Sequence, residues 1–230
     1  MRNVFVNGFT LAEVLVTLGI IGVVAAMTMP TLLNNTGNQQ FVAKLKKVNS
    51  VLGQATIRAV EDHGMIEDWG IKDGSADNLN RIFDYYKPYF NIVQDCENDV
   101  TNPCTADSQL LSLAGNGIGW SNAIGMGSGV RSFVLSDGTA VLMDAYSNKE
   151  DSSLFGVTRN KLSNFIIFLV DVNGDKKPNR LGRDVFIFLL TQEGIIPAGA
   201  DVDDTKSDCK LGGTGYHCAA KVISEGDMNY

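Results

Sequence analysis

Glu13 is the single charged residue between Phe9 and Met29, a 21-residue run (FTLAEVLVTLGIIGVVAAMTM). An acid in so apolar a segment costs a few kcal/mol in a bilayer and usually marks a function. It stands one helical turn beyond Phe9, on a similar face. A second set of oxygen-bearing residues lies between two apolar runs: Asp171, Asn173 and Asp175, with Asp184 further on. The spacing follows the D-x-N-x-D start of a calcium loop, in which hard oxygens crowd one cation. The pattern then departs. Lys176 stands where an EF-hand has its glycine and Gly182 where it has its closing acid, so Asp184 would have to close a non-standard loop. The other reading is a turn between strands, with Asn173-Gly174 supplying positive φ. Both stay open, and the turn is the simpler.

A third set is the four cysteines, Cys96, Cys104, Cys209 and Cys218. Their spacing lacks the CxxC hooks of a zinc site. Four cysteines permit three connectivities, and the near-neighbour spacing points to Cys96–Cys104 and Cys209–Cys218. Each bridge would close a loop of roughly ten residues and contribute about 2–3 kcal/mol in the chain-entropy model. Such bridges persist in oxidising compartments.

Little else invites chemistry. The two histidines, His63 and His217, have no nucleophile or ligand motif around them, and no phosphate-binding, dinucleotide-binding or G-x-S-x-G motif occurs. Nothing in the sequence argues for an enzyme. The acidic run Asp201, Asp203, Asp204 and Asp208 reads as a solvated loop. A formal charge of −7 disfavours nucleic acid as a partner.

The elements that hold these residues begin with Met1 to Gly8 (MRNVFVNG), a short leader with one basic residue, Arg2. As a helix, residues 9–29 span about 31 Å, close to the hydrocarbon thickness of a bilayer. No Lys or Arg follows Arg2 until Lys44, so the positive-inside rule puts the leader in the cytoplasm. Val24-Ala25-Ala26 has the small residues of a secretory cleavage site, but the apolar run is longer than a normal signal core and carries Glu13 near its start.

Gly8-Phe9-Thr10-Leu11-Ala12-Glu13 resembles the cleavage and methylation motif of the type IV prepilin family. The resemblance covers roughly the first 60 residues and implies several things. A prepilin peptidase would cut between Gly8 and Phe9, and Phe9 would be N-methylated. Glu13 matches the acid that guides assembly, and Pro30 the proline at the far end of the apolar segment. The new amine at Phe9 would face the Glu13 carboxylate of a neighbouring subunit, which is far less costly than a lone acid in an apolar core. An interfacial acid snorkelling to the headgroups is the bland alternative.

Pro30 cannot donate to Ala26 and should kink or loosen the helix, and Asn34 to Gln40 (NNTGNQQ) is a poor helix former. Helical periodicity returns with Phe41, Leu45, Val48, Leu52, Ala55 and Ala59, a stripe suited to packing on a sheet. His63-Gly64 ends that helix. A short helix is expected over 78–90, capped by Ser75 or Asp77 and stopped near Pro88. Strands are expected over 130–135, 139–143, 165–172 and 184–190, with a hairpin at Ser136-Asp137-Gly138. The sequence thus divides into a leader (1–8), a transmembrane and filament-core helix (9–29), an amphipathic second half (30–63) and a globular head (64–230). This α+β order, a long helix packed on a small antiparallel sheet of about four strands, resembles the pilin αβ-roll.

The resemblance implies a structural subunit of a type II secretion pseudopilus or a type IV pilus. Its partners would be prepilin peptidase, other pilin or pseudopilin subunits and the secretion or pilus assembly platform. It would sit as a single-pass protein of the bacterial inner membrane with a periplasmic head, and in an envelope or surface filament after assembly. Some pilin-like heads bind calcium, which keeps that ion open as a cofactor at Asp171, Asn173, Asp175 and Asp184. A minor tip pilin acting as an adhesin is the alternative. The Cys209–Cys218 region resembles the disulfide-bounded segment that some pilins expose for recognition.

Overall fold

The structure is a computed structural model that describes residues 10–97, 104, 110–118, 129–147, 151–174 and 176–230, with the side chains of 30, 31, 33–35 and 151 left aside. It divides into two compact units, Met1–Gln39 and Gln40–Tyr230. Helix α1, Leu11–His63, contributes to both. Pro30 lies within it, withholding one N–H from the ladder. The stretch 34–40 is helical as well, against the expectation from its composition. Intrinsic propensities differ by less than about 1 kcal/mol per residue, and helix propagation is cooperative, so a weak stretch between strong ones does not by itself end a helix.

In the first unit the described helical residues carry an apolar surface with nothing packed over it. Leu11–Met29 is long and apolar enough to cross a membrane, with a mean hydropathy of 2.2 and none of it buried.

The second unit is an α+β domain around one six-stranded antiparallel sheet, order β1-β2-β3-β4-β5-β6. The strands are β1 (Ile92–Asp95), β2 (Arg131–Leu135), β3 (Ala140–Tyr146), β4 (Phe165–Asp171), β5 (Val185–Thr191) and β6 (Gly194–Pro197). The central four occupy the runs expected to be strands. The two edge strands are additional, and each is only four residues long. Short edges limit the row of unpaired backbone groups that a sheet exposes.

The sheet is covered on both faces, which explains why β4 and β5 read as continuous apolar runs rather than alternating ones. Ile166, Phe168 and Val170 of β4, with Phe186, Phe188 and Leu190 of β5, point to one core. Into that core α1 inserts Val42, Leu45, Val48, Leu52, Ala55 and Ala59, nearly the stripe the periodicity marks. The intervening residues Phe165, Ile167, Leu169, Val185, Ile187 and Leu189 point to a second core. There, loop residues Phe155, Val157, Leu181 and Ala198 cover them, a role the sequence did not reveal.

Helix α2, Ala76–Tyr86, starts at Ser75, whose hydroxyl accepts from the Asn78 N–H. Such a cap is worth about 1 kcal/mol. A 3-10 turn over Lys87–Tyr89, carrying Pro88, follows it. The buried face of α2 (Leu79, Ile82, Phe83, Tyr86) joins the α1 core, and the Tyr86 hydroxyl lies 3.0 Å from Thr56 Oγ1. That pairing satisfies two buried polar groups at once. Two further short helices follow, α3 (Asp151–Leu154) and α4 (Cys218–Glu225). The latter buries Cys218, Ala219 and Val222 in the α1 core and was not foreseen.

Candidate functional site

The N-terminal motif is described from Thr10 onward. Gly8 and Phe9, the residues of the expected cleavage and methylation, lie outside the described residues. Thr10 and Glu13 form a capping box: the Thr10 N–H and hydroxyl both donate to Glu13 Oε2, at 2.8 and 2.9 Å. The Glu13 N–H donates to Thr10 Oγ1 at 3.2 Å in return. This is the T-x-x-E signature of a helix start, which satisfies backbone donors that the first turn leaves open. The signal was present in the sequence as Thr10-Leu11-Ala12-Glu13, and it gives Glu13 a partner within its own chain. Beyond it the helix exposes Leu15, Leu18, Ile21 and Val24, each more than half accessible. Apolar side chains this exposed, over a length near 28 Å for 19 residues, require a lipid or protein environment.

The oxygen-rich segment between β4 and β5 is a tight turn held by its own acids. Asp171 Oδ1 accepts from the N–H groups of Asn173 and Gly174, at 3.1 and 3.0 Å. Gly174 has φ of +70° and lies against the Gly138 carbonyl, leaving no room for a Cβ. The turn reading therefore holds for this part. Asp184 closes the segment from the far side: Oδ2 accepts from the Asn179 N–H and from Asn173 Nδ2, and Oδ1 from the Arg180 N–H. Both carboxyls are buried. Burial, and then the neighbouring Asp184 charge, pushes the Asp171 carboxyl up to about 8. Burial raises Asp184 also, against its backbone donors.

The sequence-predicted calcium ligands are thus brought together in part. Asp171, Asn173 and Asp184 converge, while Asp175 lies outside the described residues. Asn173 Oδ1 is buried and, among the described residues, has no hydrogen-bond partner. Two carboxylates and one orphaned amide oxygen are a donor set suited to a hard cation. Among the described residues, no group of three His, Cys, Asp or Glu side chains is arranged to hold a metal.

Cys96 is bonded to Cys104 and Cys209 to Cys218, with Cα–Cα distances of 5.8 and 4.9 Å. No free thiol remains. The acidic run before Cys209 is more than a solvated loop. Asp201 accepts from the N–H groups of Thr158 and Arg159 and pairs with the Arg159 guanidinium. Burial would raise its carboxyl, but the Arg159 bonds hold it below the usual range. Asp208 accepts from the His217 N–H at 2.9 Å and from Thr214 Oγ1, organising the loop inside the second disulfide. Asp203 and Asp204 are exposed, as a solvated loop requires. His63 stacks on Tyr85, and His217 Nε2 lies 3.0 Å from the Leu154 carbonyl oxygen. Both histidines thus have structural contacts.

Residues 6–29 match the family model of the prokaryotic N-terminal methylation motif. No curated protein and no solved structure matches the chain.

Proposed function

We propose that this chain, which carries the prepilin-type signature of type IV pilins and pseudopilins, is a filament subunit of a type II secretion pseudopilus or a type IV pilus. The observation that carries the reading is the joint presence of the matched motif over residues 6–29 and an apolar helical span from Leu11 to Met29 in which no residue is buried. Prepilin peptidase cuts between Gly8 and Phe9, and Phe9 becomes the methylated N-terminus. The apolar helix holds the subunit in the inner membrane, with the head in the periplasm, until the assembly platform moves it into the filament. There the same apolar surface packs against other subunits. Glu13 then pairs with the Phe9 ammonium of a neighbour, because a carboxylate facing a cation is less costly in an apolar core than one alone. Pro30 loosens the helix between its membrane half and its head half.

The two disulfides suit the oxidising periplasm. Intact-mass analysis after coexpression with a prepilin peptidase tests the reading. The chain should lose eight residues and carry one added methyl on Phe9, and Gly8→Arg should block both changes. Cleavage after Ala26 instead would overturn it.

A second reading concerns a cofactor. The buried Asn173 Oδ1, unpartnered among the described residues, beside the Asp171 and Asp184 carboxyls favours calcium at the β4–β5 segment. Asp171, Asn173 and Asp184, with Asp175, would hold it, and the ion would cancel the repulsion between two buried acids.

A further inference from the structure

The head offers an apolar groove and an apolar knob at opposite ends of its sheet. The groove, about 240 Å³, is floored by Ile57, Val60, Met65 and Ile66 and rimmed by Glu67 and Glu193. Ile57 and Met65 are 69% and 58% exposed, so the apolar floor faces solvent. The knob is Leu211, at 85% the most exposed large apolar side chain among the described residues. It lies inside the Cys209–Cys218 loop next to exposed Lys210. Asp208, bonded to the His217 N–H and Thr214 Oγ1, and the disulfide hold that loop in shape. A loop organised in advance loses little entropy when it docks.

Their placement follows from the pairing of the strands. The groove sits at the β5–β6 turn, where Gly194 lies against Thr56 of α1. The disulfide loop sits at the other end of β5. Gly215 packs on the Leu181 carbonyl there, and the Leu113 N–H donates to the Thr214 carbonyl. Val185 to Thr191 separates the two ends, about 20 Å at the rise of an antiparallel strand. Leu211 of one head therefore does not reach the groove of the same head.

We propose that the groove receives Leu211 and Lys210 of a second copy of this chain. The leucine fills the apolar floor, and the lysine meets the Glu67 carboxylate on a rim where Glu193 already faces Arg159 at 3.8 Å, so shape class and charge agree. Because donor and acceptor are different surfaces at opposite ends, the contact is heterologous, and on the filament reading it repeats from copy to copy without closing. The contact rests on the filament reading and adds to it a head-to-head register that the N-terminal helix alone does not specify.

The test uses the full-length chain coexpressed with prepilin peptidase and an assembly platform. A photo-crosslinking phenylalanine is placed at Leu211 in one strain and at Leu18, on the apolar helix, in another. The Leu211 probe should link to the peptide spanning 57–67 of another copy. Leu211→Asp, read instead by filament yield, should lower assembly about tenfold, the scale of losing a central apolar anchor. It should leave the melting temperature unchanged, because the side chain is exposed in the single head. Lys210→Glu should also reduce assembly, and adding Glu67→Lys should restore it. Links from Leu18 without links from Leu211 to 57–67, or links from Leu211 to another protein, would overturn the groove contact and leave the filament standing. An unprocessed chain that links from neither position would overturn both.

Discussion

Thr10 and Glu13 bond each other in both directions across the first turn of α1, carboxylate to N–H and hydroxyl on one side and N–H to hydroxyl on the other. The acid in the apolar run therefore has a partner within its own chain, and its own helix start would share the cost of placing it near lipid. In a filament, the Phe9 ammonium of a neighbour would compete for the same oxygens. The box and the intersubunit pair then become alternative partners of one carboxylate.

Glu13→Val should keep membrane insertion intact or improve it, since a charge leaves the apolar span. It should also leave the Gly8–Phe9 bond cleavable. Filament number at normal protein level should collapse, because the neighbour's amine is left without a partner. Thr10→Ser, which preserves every bond of the box, should assemble normally. Thr10→Val removes the hydroxyl and should weaken the helix start by about 1 kcal/mol, the usual worth of a cap. Normal filaments from Glu13→Val would show that the acid serves only the cap or the interface.

Calcium at millimolar concentration should raise the melting temperature of the head, since an ion that binds the native state alone stabilises by mass action. Asp184→Asn weakens the donor set and should abolish the rise, as should Asp175→Ala. Magnesium should do less, because it demands a stricter octahedron and gives up its water reluctantly. A melting curve that calcium does not move would leave Asp171 and Asp184 as clasps of the turn.

The disulfide Cys209–Cys218 closes a nine-residue separation and anchors α4. Replacing both cysteines by serine should cost about 2–3 kcal/mol. Non-reducing peptide maps of the native chain should show Cys96–Cys104 and Cys209–Cys218 and no cross-bridge.

Lys47 of α1 donates to Asp137 Oδ2 at 2.7 Å, tying the helix to the β2–β3 turn. Burial would raise the Asp137 carboxyl, but the Lys47 bond and the Thr139 donors hold it below its ordinary value of 3.8. A depressed carboxyl contributes stability above its unfolded pKa and loses it as pH falls through its folded one. The melting temperature of the native head should therefore exceed that of Lys47→Ala at pH 7, and the two should converge as pH falls below the ordinary carboxyl value of 3.8 and through the lowered one. The gap should be under about 1 kcal/mol, because the lysine is largely exposed. A gap that persists at pH 2 would assign the difference to packing of the lysine stem.

Much of the fold is legible in the order of residues. The stripe from Leu45 to Ala59, a cap at Ser75 or Asp77, the Ser136-Asp137-Gly138 hairpin and the four central strands follow from local rules of period, capping and turn chemistry. Those rules act within a few residues, so one chain segment suffices to read them. The apolar run with one acid, and the motif at its start, likewise needed nothing beyond the order of residues.

What only the tertiary structure decided depends on residues far apart in the chain. Ile92–Asp95 and Gly194–Pro197 are strands because β2 and β5 offer free edges, not because IVQD or GIIP has a distinctive pattern. Cys218–Glu225 packs as a helix because the α1 core leaves a place for Cys218, Ala219 and Val222. Asp201 is a clamp because Arg159 comes to it across 42 residues. The convergence of Asp171 with Asp184, and the burial that raises both acids, comes from folding a turn back over the end of a sheet. Desolvation and long-range pairing are properties of the packed chain, whereas period, caps and motifs are written along it.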